Sequence, residues 1–367
     1  MGVYVVDVGG ASLKHGAATA ATYSVTDNYV RMTAKAHAIQ IRRPVERGYV
    51  VNWTLQGDLL QEILPPGRDN TFLVTTPVFT PEKLLAAQDE VAFEEFQYDT
   101  YASVIPQAVV PREPVACVVD LGFSCTYIVP VIEGVAQLEA VRRLNVGGKL
   151  MTNYLKECVS YRQWNMMDSF ELIDEVKQAV CRCAMDFPAQ MRAFADKSAT
   201  VLQWALPDFV HTKRGPERAA ARYDTGIAAS ALIWSDFATA VEQITVPEVL
   251  FHPSDIGLDQ AGLAEGIADA IAACPEYSQG LMYQNIQLIG GTSQLPQLLE
   301  RLSQELRPLV PGHFALGISR ATDPIGAVWN GCKTFATTEQ FAQHLVTKAE
   351  YLEHGSNLCR DRFQQYR

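Results

Sequence analysis

Long apolar runs are missing from these 367 residues: no stretch of roughly 18 consecutive apolar positions occurs, so no membrane-spanning helix is expected. An excess of positive charge is missing too. The formal balance is -11, which argues against a general nucleic-acid surface, because phosphate contacts need clustered Lys and Arg. Eight cysteines are present but scattered, and no four of them form two C-x2-C pairs, which argues against both a zinc site and a disulfide framework. The "CRC" at Cys181 to Cys183 reads as two reduced thiols in a helix. With no basic leader before an apolar run, a reducing, intracellular compartment is expected. Lone histidines such as His15, His252 and His313 stand at no metal-ligand spacing, which leaves them structural or surface roles.

The composition that remains, 48% hydrophobic and 19% charged, is that of an ordinary folded protein. Its length suits two to three lobes, since single cores stop growing at roughly 250 to 300 residues. The stretch "VDVGGASLKHG" from Val6 satisfies neither the dinucleotide nor the P-loop pattern, yet it runs an apolar strand into Asp7 and the pair Gly9 and Gly10. "ACVVDLGFSCTY" from Ala116 echoes it, with Asp120 and Gly122 at the strand end. A third strand, "IQLIGGTSQLP" from Ile286, delivers Gly290, Gly291 and Thr292 into a loop. A helix follows it, with Leu298, Leu299, Leu302 and Leu306 at helical spacing. Further helices are expected over "PEKLLAAQDEVAFEEF", "GKLMTNYLKECV" and "ELIDEVKQAVCRCAMDF". The alternation is that of an α/β chain in two halves.

Glycines at strand ends let the backbone approach a ligand and aim successive N–H groups at an anion, most commonly phosphate. A carboxylate beside a polyphosphate is repulsive unless a divalent cation and its waters lie between, which makes Asp7 and Asp120 candidate Mg partners through water. Lys14, one hairpin strand from the glycine pair, is placed to reach phosphate oxygens. The competing reading is that Asp-Gly merely turns the chain, and two echoing motifs with "GGTS" weigh against it.

These segments, with "RRPVERGYVVNW", "GGKLMTNYL", "FHPSDIGLDQAGLAEGI" and "DPIGAVWNGCK" in order, resemble the actin superfamily nearly end to end. The wording "GYVVNW", "RLNVGGKLMTNYLKE" and "EVLFHPSDIGL" is closer to a nuclear class of actin-related proteins than to actin itself. The resemblance implies the actin-like ATPase-domain fold, two duplicated lobes around a nucleotide cleft. Lobe I would cover 1–112, with subdomain 1 and a reduced subdomain 2. Lobe II would cover 113–322, with subdomains 3 and 4, and 323–367 would return to subdomain 1. It implies ATP or ADP with Mg, held weakly or not at all, at Asp7, Gly9, Gly10, Lys14, Asp120, Gly122, Lys177, Gly290, Gly291 and Thr292. No catalytic residue is carried over. Actin's second loop reads Gly-Asp-Gly where this chain has Gly122, Phe123 and Ser124, its following histidine is here Tyr127, and the acidic neighbour of its lysine is Gln178. Gln107 lies near the water-orienting glutamine of actin but reads better as a solvated helix residue.

The resemblance further implies a non-catalytic subunit of a nuclear, ATP-dependent remodeller that exchanges a histone variant, present also in the cytoplasm. Its partners would be the other subunits, with a histone or nucleosome contact. No membrane contact and no self-polymerisation are expected; a shortened 7–44 segment and Asp255 in "SDIGL" speak against filament contacts. An active ATPase or sugar kinase, and a cytoskeletal filament protein, are the alternatives. Finally, a 213–244 extension of subdomain 4, opened by Lys213, Arg214, Arg218 and Arg222, is expected to dock a partner. An amphipathic helix is expected there, through Leu232, Ile233, Trp234, Phe237, Val241 and Ile244.

Overall fold

The structure, a computed structural model, describes residues 2–33, 39–162, 165–196, 198, 202–205, 236–239 and 241–363. The chain forms two compact units, Met1–Gly148 with Ala264–Gln294 and Glu305–Arg367, and Lys149–Leu263 with Leu295–Gln304.

The first unit is built on two sheets of one plan. In the first sheet, Gly2–Val8 pairs antiparallel with Ser12–Ala17 and parallel with Asn70–Thr75, which is parallel to Thr100–Val104. In the second, Val115–Leu121 pairs antiparallel with Thr126–Ile132 and parallel with Ile286–Ile289, which is parallel to Ile318–Arg320. The echo in the sequence is therefore an echo in space: Asp7 stands opposite Lys14, and Asp120 opposite Tyr127. Even the turns repeat, with Gly9 N–H donating to Ser12 O and Gly122 N–H to Cys125 O, each at 3.2 Å. Near-continuous apolar runs suit strands covered on both faces. Val5, Val6, Leu73, Val118 and Val129 are fully buried in one shared core.

Helices close this unit with local signals. Asn52 caps Trp53–Gln61 by accepting from Leu55 N–H at 3.0 Å. The helix expected around residue 90 forms as Glu82–Glu90 and continues into a π-helical turn, Val91–Glu95. Ala327–Phe335 buries Trp329 completely. Near the C-terminus Thr347 and Glu350 make a reciprocal capping box at the start of Lys348–His354. Glu350 also takes a forked contact from Arg362 at 3.0 and 3.1 Å.

The second unit holds Phe170–Val180, Phe187–Ala195, Glu242–Glu248 and most of Gly148–Arg162 and Leu298–Leu306. Of the four leucines read at helical spacing in the last helix, Leu298, Leu302 and Leu306 are buried and Leu299 is half-buried. Inside the unit Arg301 pairs with Glu248 at 2.9 and 3.3 Å and stacks on Phe251. Both ions are almost fully buried, so the pair satisfies itself where water does not reach.

Two expectations are corrected here. The helix containing Lys177 ends at Val180, so Cys181 and Cys183 follow it in irregular backbone. They are still free thiols, as are all eight cysteines: seven are buried and Cys158 is half-buried. The apolar stripe from Leu232 to Ile244 is not one helix: Phe237 lies in the strand Asp236–Thr239, paired antiparallel with Leu202–Ala205, and Ile244 is buried in the helix Glu242–Glu248. A β-branched and aromatic segment with a partner strand at hand takes the extended form despite its helical spacing. Lys213, Arg214, Arg218, Arg222, Leu232, Ile233 and Trp234 lie outside the described residues.

Candidate nucleotide site

Asp7 ends its strand almost fully buried, and its oxygens are spoken for by the chain itself. The Thr75 hydroxyl donates to Oδ1 at 3.0 Å, while Lys14 Nζ lies 3.5 Å from Oδ2 across the hairpin. Thr75 is oriented in turn by the Val8 N–H, 3.0 Å from its hydroxyl.

Asp120 has a different partner. Gln107 Nε2 donates to its Oδ2 at 2.8 Å. Burial pushes the Asp120 carboxyl up to about 6; the Gln107 bond pulls it down, nearby Asp7 pushes it up, and Lys14 pulls it down. Gln107 is thus not a solvated residue. It is buried on the short 3-10 turn Pro106–Val109, and its Oε1 has no hydrogen-bond partner among the described residues. Pro106 at the first position of that turn is what commits the chain to turn there, carrying Gln107 inward.

The third glycine turn fits around the second. Gly290 has φ +84, and a Cβ there would stand 2.8 Å from Asp120 Oδ1, so only glycine serves. Gly122 O accepts from the Thr292 hydroxyl at 3.3 Å and from the Gly148 N–H at 3.0 Å. Gly147 lies so close to the second loop that a Cβ would meet Phe123 O at 2.7 Å. The structure therefore gathers Asp7, Gly9, Gly10, Lys14, Asp120, Gly122, Gly290, Gly291 and Thr292 within the first unit. It adds Gln107, expected from the sequence to be solvated, and Thr75, Asn28, Gly147 and Gly148, which were not expected at the site. Asn28 is fully buried and donates to Gly9 O at 2.8 Å. The pair "GG" at 147 and "TTP" after a strand were the available signals.

Lys177 belongs to the second unit. It is nearly buried there, its Nζ donating to the Thr152 hydroxyl at 2.7 Å and to Asp174 Oδ1 at 2.6 Å. Gln178 donates to the other oxygen of the same Asp174 at 2.7 Å. The helix thus supplies a carboxylate one turn before the lysine.

A nucleotide has two ends to be held, and the first unit treats them differently. Around the third glycine turn a Cβ added at Gly291 meets nothing within 4 Å, so this turn faces open space. At the phosphate end the gap between the two hairpin turns is taken. A Cβ at Gly10 would collide with the Ser124 hydroxyl and lie 3.4 Å from the Phe123 ring. The Arg43 guanidinium lies 4.6 Å from the centroid of that ring, with Nη1 3.5 Å from Gly10 O. In this arrangement the residues do not fit a terminal phosphoryl group between the turns. Among the described residues no three His, Cys, Asp or Glu side chains converge to hold a metal directly.

The family profile of actin matches residues 4–364. Actin-related protein 6 of Arabidopsis thaliana is 36% identical over 360 residues, 88% of this chain and 85% of that protein. Its counterpart in Oryza sativa subsp. japonica is 33% identical over 382 residues, 92% of this chain and 89% of its own. The Drosophila melanogaster protein of the same name is 30% identical over 332 residues, 84% and 82% respectively. On these matches the chain belongs to the actin family and, within it, to the actin-related protein 6 group.

Proposed function

We propose that this protein is a non-catalytic, structural subunit of a nuclear, ATP-dependent chromatin-remodelling complex that exchanges a histone variant. One observation carries the non-catalytic half: Phe123 and Ser124 fill the turn-to-turn gap at Gly10, where nucleotide phosphates would be held. Phosphoryl transfer is mostly positioning and charge stabilisation, so a chain that crowds that place forfeits the reaction. ATP or ADP with Mg is then bound weakly or not at all, with Asp7 and Asp120 as its water-mediated cation partners. The complex, the histone or nucleosome contact and the nuclear location, with the cytoplasm as a second one, rest on the resemblance of the whole chain to its group. A reduced subdomain 2 and a partner-docking 213–244 segment belong to the same reading.

The contact between Gln107 and Asp120 favours a second reading, a nucleotide-binding protein with slow turnover. An assay of phosphate release by the purified chain separates the two. Negligible release, unchanged in Asp120→Ala, is expected; release as fast as from assembled actin and lost in that variant overturns the proposal.

A further inference from the structure

We infer that Arg43, Phe123 and Ser124 form an internal latch that stands in for the terminal phosphate of a nucleotide, joining the two hairpin turns with the chain's own side chains. The inference rests on the non-catalytic reading and deepens it: triphosphate enters only when the latch opens.

All contacts of the latch lie within the first unit. The Arg43 guanidinium lies over two rings, 4.6 Å from the centroid of Tyr29 and 4.6 Å from that of Phe123. A planar cation over aromatic faces is the arrangement that arginine makes and lysine does not. Its edge is left to hydrogen-bond, and Nη1 faces Gly10 O at 3.5 Å. At the same glycine, the Ser124 hydroxyl and Phe123 ring close directly on the first turn. Arg43 therefore binds the first turn by a carbonyl and the second by a ring.

Charge explains why this works without a ligand. Two carboxylates, Asp7 and Asp120, would repel across an empty gap. Lys14 beside Asp7 offsets one of them, and the Gln107 hydrogen bond, with the raised proton affinity of Asp120 itself, offsets the other. Arg43 adds a second cation at the turns themselves. A triphosphate would have to draw that guanidinium off both rings and lift Phe123 from Gly10, so its own binding is weakened by the contacts it breaks. A diphosphate, which does not reach between the turns, is opposed less.

The test compares wild type with Arg43→Ala and Phe123→Ala by thermal melting of the full chain, without nucleotide and with millimolar Mg-ATP or Mg-ADP. Both variants are expected to melt lower than wild type without nucleotide. Mg-ATP is expected to raise the variants by several degrees and to leave wild type unmoved. Equal stabilisation of wild type and variants by Mg-ATP overturns the latch, as does an unchanged nucleotide-free melt in Arg43→Ala. Should a variant not fold, titration of wild type with fluorescent ATP and ADP analogues decides alone. Micromolar ATP affinity overturns the latch, and ATP binding at least tenfold weaker than ADP supports it. Tight ATP binding without phosphate release sinks the latch while leaving the non-catalytic subunit standing; release sinks that reading itself.

Discussion

At the scale of single residues, the two strand-end aspartates show how one sequence pattern yields two environments. Asp7 faces a lysine across its hairpin and Asp120 faces a tyrosine, so only the first carboxylate is paired with a cation by its own register. Asp120 in consequence has a carboxyl pushed up to about 6, above its ordinary 3.8, by burial first of all. A raised acid favours the fold when protonated: that contribution is complete below about pH 4 and is lost as pH rises through 6. Asp120→Asn keeps an oxygen for Gln107 and removes the charge. It is expected to melt higher than wild type at pH 8, with the two curves meeting near pH 4. Melting followed by circular dichroism across that range checks this, and a gap independent of pH would contradict it. The pairing of Asp120 with Gln107 could not be read from the sequence: the proline of "IPQAVV" signals a turn, but the partner that its glutamine meets lies on a separate strand.

Among the elements, those with local determinants were legible and those decided by a partner strand were not. Hairpins announced themselves by Asp-x-Gly after a β-branched run, and the helix at Leu298 by its leucine spacing. The segment near Phe237 has helical spacing too, but Leu202–Ala205 pairs with it and turns it into a strand. No window of sequence contains that information. The C-terminal helices are the opposite case, since "TKAE" writes its own capping box. Arg362 first, then the Thr347 backbone and hydroxyl, hold the Glu350 carboxyl down at about 2, against an ordinary 4.5. A depressed acid contributes stability that is present above pH 4.5 and is lost as pH falls toward 2. Glu350→Gln is expected to cost about 1 kcal/mol at pH 7, the size of a lost cap, because the half-exposed ion pair is screened. Urea titrations at pH 7 and pH 3 check this: the cost should shrink at the lower pH, and a constant cost would show that the charge is not involved.

For the molecule as a whole, the actin-family sheets do not by themselves commit the chain to filaments. Asp255 is exposed on the short turn Pro253–Ile256. Burying a carboxylate there without a partner would cost roughly several kcal/mol, enough to abolish a weak contact between copies. The protein is therefore expected to stay in the supernatant when centrifuged at high concentration with Mg-ATP, and salt-dependent pelleting would refute this. The free cysteines have a consequence of a different kind. Burial drives the Cys125 thiol up to about 11 and Cys181 and Cys183 up to about 12, so hardly any thiolate exists at neutral pH while the fold is closed. Both units thus carry silent chemical clocks: in a pulse of alkylating reagent, each thiol gains mass at the rate at which its own surroundings open, and the order of modification would rank local opening across the chain without any label being introduced.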